Sequence, residues 1–137
     1  MTILEVNLES KELVQEFNLA EVEDAMETCG GKKANCFAMF KDLNMLAIAT
    51  DENVHLFDYE SEFTLVTTMP VANVIQIAFF ELYIILLVES EDLSSATLTC
   101  YQMDSEEPEG QITINQFMGQ QIMMQKGDQA IFYATGM

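Results

Sequence analysis

Apolar and polar residues alternate with a period of two along most of the chain, in short runs separated by polar turns. Alternation with β-branched and aromatic enrichment predicts strands over 34–40, 45–50, 54–58 and 63–68. The same signals predict strands over 74–79, 83–89, 96–103, 111–117, 121–125 and 129–135, and two more in the N-terminal phrases 3–8 and 13–17. Connections are short and polar: Lys41-Asp42-Leu43-Asn44, Asp51-Glu52-Asn53, Glu60-Ser61-Glu62, Glu81-Leu82, 90–95, 105–110 and Lys126-Gly127-Asp128. Pro108 and Gly110 read as turn formers within 105–110. One helix is predicted over 19–28, with Asn18 as its cap, Glu21 at its third position and Gly30-Gly31 at its end. Its apolar positions Leu19, Val22, Ala25 and Met26 make a stripe opposite an acidic face, and an acidic loop is the alternative.

These strands repeat in sets of four, a to d, at the spacing of about 40 residues that marks propeller blades. One set occupies 34–68 and a second 73–117. A third is split, with its a and b strands in 120–135 and its c and d strands in 3–17. The expected fold class is all-β: antiparallel four-stranded blades of a β-propeller in a single domain over 1–137. An antiparallel sandwich or barrel is the alternative.

The stretch Leu46-Ala47-Ile48-Ala49-Thr50-Asp51-Glu52-Asn53-Val54-His55-Leu56-Phe57-Asp58 resembles the b strand, acidic turn and c strand of a WD40-like propeller blade. Phe57-Asp58 stands where that family has Trp-Asp, and Ile131-Phe132-Tyr133-Ala134-Thr135-Gly136 is similar to another b-strand ending. Gly-His pairs are missing and His55 is not at the family's histidine position, so the usual His–Asp support is not carried over. The resemblance implies a rigid assembly module. Three blades are fewer than the 4–8 that close a ring, so completion by a second copy or by a blade-bearing partner is expected. A split blade would remove exposed sheet edges.

Charge narrows the choice of partner. The 137 residues carry 23 acids against 5 lysines, with no arginine, for a formal net charge of −18. Without the arginine fork that reads phosphates and base edges, direct nucleic-acid binding is not expected, and neither is docking on anionic membranes. A basic protein surface is the expected partner. Asp51, Glu52, Glu89, Glu91 and Asp92 are expected to gather at one end of the blades. Glu60, Glu62, Glu106, Glu107 and Glu109, with Glu9 and Glu12, are expected at the other. These carboxylates are the candidate partner-binding residues, and solvated turns are their plain alternative.

Chemistry is sparse. His55 is the single histidine and no nucleophile elbow is present, so neither catalytic nor cofactor residues are assigned. Cys29, Cys36 and Cys100 lack metal-binding or redox spacing and read as free thiols of a reducing compartment, cytoplasmic or nuclear. Cys36 and Cys100 are expected in the core. Cys29, followed by Gly30-Gly31-Lys32-Lys33, is the expected exposed thiol. The acidic run 104–110 lacks the ligand pattern of a calcium loop, and no metal is assigned. No secretory signal is expected, since Glu5 and Glu9 stand where basic residues would be needed. The functional expectation is a non-enzymatic interaction or scaffold module. A small acidic inhibitor that mimics nucleic acid is the alternative.

Overall fold

The computed structural model describes residues 2–18, 21, 25, 29 and 32–115. They form ten strands: β1 (Thr2–Val6), β2 (Leu13–Asn18), β3 (Cys36–Phe40), β4 (Met45–Ala49) and β5 (Val54–Asp58), followed by β6 (Thr64–Met69), β7 (Val74–Phe80), β8 (Tyr83–Glu89), β9 (Ser95–Gln102) and β10 (Pro108–Asn115). The fold is all-β. Strands β3 to β6 make one antiparallel sheet in sequence order, and β7 to β10 make a second.

Each sheet is a meander because its connections are too short for anything else. Between β3 and β4 a single 3-10 turn, Lys41–Leu43, ends at Asn44 in the left-handed region. The Asn44 N–H donates to the Lys41 carbonyl at 3.2 Å, and Phe40 then pairs with Met45. Between β7 and β8 only Glu81 and Leu82 remain, and Glu81 takes a positive φ of 52°. Asp58 closes the β5–β6 turn, its Oδ1 accepting from the Glu60 and Ser61 amides at 3.0 and 3.2 Å.

The two sheets run in step. At one end the Cys36 thiol lies 3.9 Å from the Val74 carbonyl, and at the other the rings of Phe40 and Phe79 stack. Start meets start and end meets end, so β3 and β7 lie side by side in the same direction. Between the sheets, Met45, Ala47, Ala49, Val54, Leu56 and Met69 pack with Val74, Ile77, Ile84, Leu86 and Tyr101. The intervening residues point the other way. Leu46, Ile48, Phe57 and Phe63 form a second apolar layer with Ala25 and Cys29. Ile85, Leu87, Ala96 and Leu98 form a third. Strand β4 is buried along its whole length because both of its faces are covered.

Among the described residues, strands β1 and β2 form a separate two-stranded sheet, paired from Thr2 with Asn18 to Val6 with Leu13. Its turn is held by Asn7, whose Oδ1 accepts from the Glu9 and Ser10 amides at 2.9 and 3.1 Å. Leu4, Val6, Leu13 and Val14 are exposed. The strands predicted over 121–125 and 129–135 lie outside the described residues, as does most of the helix predicted over 19–28. The Asn18 side-chain amide donates to Glu21 Oε1 at 3.0 Å.

Three expectations are corrected. Pro108 and Gly110 belong to edge strand β10, not to the preceding turn. An edge strand tolerates a proline that donates no ladder bond, and the register shift between Pro108 and Gly110 absorbs it. Glu109 therefore projects from a strand. Cys29 is not the exposed thiol: it is 6% exposed, within the layer on Leu46, Ile48 and Phe57. Cys36 and Cys100, expected in the core, are only half-buried.

Candidate protein-interaction surfaces

Because the two meanders run in step, their equivalent turns emerge together. At the end where β4 passes to β5, Thr50 is fully buried, and its amide donates to the Asn53 carbonyl at 2.8 Å. This leaves Asp51 and Glu52 projecting as a tight exposed turn. Asn73, at the entry to β7, ties this turn to the second sheet. Its amide donates to the Asp51 carbonyl at 3.3 Å, and its carbonyl accepts from the Glu89 amide at 3.0 Å. One residue thus brings Asp51 and Glu52 beside Glu89, with Glu91 and Asp92 in the following turn.

This end is less acidic than its carboxylates imply. Lys32 Nζ meets Glu52 Oε2 at 2.8 Å, and that hydrogen bond and charge raise the lysine and lower the carboxyl. Both groups are well exposed, so the pair contributes little to stability. Asp92 is satisfied within its own turn. Ser90 Oγ and Ser94 Oγ each donate to its Oδ1 at 2.7 Å, and the Ser94 amide does so at 3.1 Å. These bonds, Ser90's first, pull its carboxyl down to about 2. A shallow cleft of about 550 Å³ lies here, with Lys33 facing Glu89 and Glu91 across Asn35 and Asn73. Two of the chain's five lysines therefore sit among these acids.

The opposite end collects the β3–β4, β5–β6, β7–β8 and β9–β10 turns. Glu60, Glu62, Glu106 and Glu107 project there and are exposed. Asp42, Glu81 and Asp104 are exposed in the same set of turns, and Lys41 is the one lysine there among the described residues. Glu9 and Glu12 belong instead to the separate β1–β2 hairpin and its turn.

Between the sheets a groove opens that the strand pattern did not announce. The sheets are closest at β3 and β7 and diverge toward β6 and β9, leaving a cavity of about 460 Å³. Leu56, Met69 and Val71 line one wall, and Ile84, Tyr101 and Met103 the other. Asp104, Ser105 and Glu106 border it. No motif marks these residues, because they come from strands in different sheets.

His55 is 3% exposed on β5. Its Nδ1 lies 3.0 Å from Thr68 Oγ1, and its Nε2 has no hydrogen-bond partner among the described residues. Burial, and secondarily the charge of Lys32, pushes its pKa below the ordinary histidine value. Burial alone pushes the Cys36 thiol up to about 11. Burial, and then Glu109, raises Cys100. Among the described residues no three His, Cys, Asp or Glu side chains converge as a metal-ligating group, and no helix is long and apolar enough to cross a membrane. Comparison with protein-family models, with curated proteins and with solved structures finds no match to this chain. Its surfaces are therefore read from their own chemistry: two ends of unequal charge and an apolar groove with an acidic border.

Proposed function

We propose that this chain is a non-enzymatic protein-interaction module of β-propeller type, completed by a second copy or by a blade-bearing partner, and that it favours a basic partner surface. The observation that carries the reading is the in-step alignment of β3 and β7, anchored at Cys36–Val74 and at Phe40–Phe79. Equivalent inner strands running side by side in one direction are what successive propeller blades require. Divergence of the sheets toward β6 and β9 fits the same wedge geometry. The separate β1–β2 hairpin, with exposed Leu4 and Val6, supports the idea of a blade awaiting further strands, since an isolated hairpin is marginal in water.

Burial of the reactive groups favours interaction over catalysis. His55 and Cys29 face packed layers, and Cys36 is held protonated at neutral pH. The crowding of Glu60, Glu62, Glu106 and Glu107 at the opposite end, where Lys41 is the one lysine among the described residues, favours a basic partner there. The Asp51–Asp92 end is the weaker candidate, because Lys32 and Lys33 offset it.

Light scattering on the purified chain, alone and after size-exclusion chromatography, tests the reading. A defined dimer of the purified chain, or a defined heteromer once a co-purifying partner subunit is present, is the expected result. A cooperatively folded strict monomer that binds basic proteins only through salt-sensitive charge would replace the module with the acidic decoy.

A further inference from the structure

We propose that the groove between the two sheets is a docking site for a basic, extended segment of a partner protein, which places one apolar side chain between β6 and β9. The proposal rests on the interaction-module reading and assigns it a site. The walls of the groove are apolar: Leu56 and Met69 on one side, Ile84 and Tyr101 on the other. Its volume of about 460 Å³ lies in the range of sites that hold a side chain or a small ligand. Asp104 and Glu106 are exposed at its border and Glu107 follows, so a cation entering beside the apolar anchor meets carboxylates.

The neighbouring edge is open as well. Among the described residues strand β6 is the outer strand of its sheet and pairs only with β5, and Thr64, Val66 and Thr68 are exposed along it. An extended segment lying there gains backbone pairing while its alternate side chains face the groove. Charge decides what kind of segment fits. A second copy brings another net −18 to an already acidic border, whereas a lysine- or arginine-bearing segment neutralises it.

Two fluorescein-labelled pentapeptides, Lys-Lys-Leu-Lys-Lys and Lys-Lys-Ser-Lys-Lys, test this by anisotropy titration against the full chain. The leucine peptide is expected to bind at least about ten-fold tighter, the gain from burying one leucine. Thr67 stands opposite Leu56 in the β5–β6 register, so Thr67→Phe fills the groove and is expected to abolish the preference. Val71→Phe fills it from the adjoining segment and replaces Thr67→Phe if that variant does not fold. Asp104→Asn with Glu106→Gln is expected to weaken both peptides several-fold and to flatten their salt dependence. Equal binding of the two peptides, or a leucine preference that survives groove filling, overturns the proposal. Light scattering on the same samples separates it from the broader reading. A monomer that keeps the preference retains the groove and removes completion of the ring by a second copy. A dimer without the preference retains the ring and removes the groove.

Discussion

The rings of Phe40 and Phe79 stack with centroids 5.6 Å apart and planes 14° from parallel, joining the ends of β3 and β7. Each ring sits just before its sheet's first turn, so the pair sets both sheets at the same height. Phe79→Ala is expected to lower stability by about 2 kcal/mol, less than a fully buried phenylalanine would, because both rings are only partly buried. A double-mutant cycle with Phe40→Ala, read by urea unfolding, should give a coupling of about 1 kcal/mol. Additive effects would mean that the rings are neighbours without being a joint.

His55 makes the fold acid-sensitive over a defined window. Its folded pKa lies below its unfolded value near 6.5, so the unfolded chain takes up the proton first. The histidine contribution is fully present above about 6.5 and falls as pH drops from there toward the lowered folded value. Carboxylate protonation relieves self-repulsion in a chain of net −18 and acts in the opposite direction, so the comparison must be made against a variant. His55→Leu removes the unpartnered Nε2 and is expected to be neutral or stabilising by about 1 kcal/mol at pH 7. Its advantage over wild type should grow between pH 7 and 5.5 in urea midpoints. A constant difference across that range would remove His55 as the titrating group.

Cys36 should be a slow nucleophile. Raising the thiol from 9.0 to about 11 leaves roughly a hundred-fold less thiolate at pH 8. Iodoacetamide labelling followed by mass spectrometry should show Cys36 reacting at least that much more slowly in the native protein than in urea. Cys29 should be protected by burial alone. Rapid native labelling of Cys29 would contradict its place in the layer on Leu46 and Phe57.

The two-residue turn between β7 and β8 carries avoidable strain. Glu81 holds φ at 52°, a region that glycine and asparagine occupy at lower cost than glutamate. Glu81→Asn is expected to raise stability by about 0.5–1 kcal/mol, measured as a shift in the thermal midpoint. Glu81→Val, β-branched at the same φ, should lower it.

The candidate surfaces were partly legible. The acidic turns could be assigned to two ends because strand alternation and turn spacing fix which connections share an end of a meander. Neither the lysines that offset one end nor the serines that satisfy Asp92 could be weighed from composition, since both depend on side-chain geometry. Pro108 and Gly110 misled because turn-forming residues are equally tolerated at the start of an edge strand, and only the β9–β10 register distinguishes the two. Cys29 misled in the same way. Two glycines and two lysines beside it speak of a loop, but its burial depends on Leu46, Ile48 and Phe57, at least 17 positions away.

What the amino-acid order determined is local. The period-two alternation of 36–69 and 74–115 marks both faces of each strand, and turns of two to five residues leave meanders as the only pairing. What only the tertiary structure decided is how the two meanders meet. Nothing in either segment says that Cys36 reaches Val74, that Phe40 stacks on Phe79, or that Asn73 bridges Asp51 to Glu89. Apolar faces are non-directional, and many dockings bury a similar area. The one adopted is selected by the shape of facing side chains and by a few hydrogen bonds between residues far apart in the chain. The groove exists only because of that choice. Its walls belong to different sheets, and they become a site when β3 and β7 align and β6 and β9 diverge.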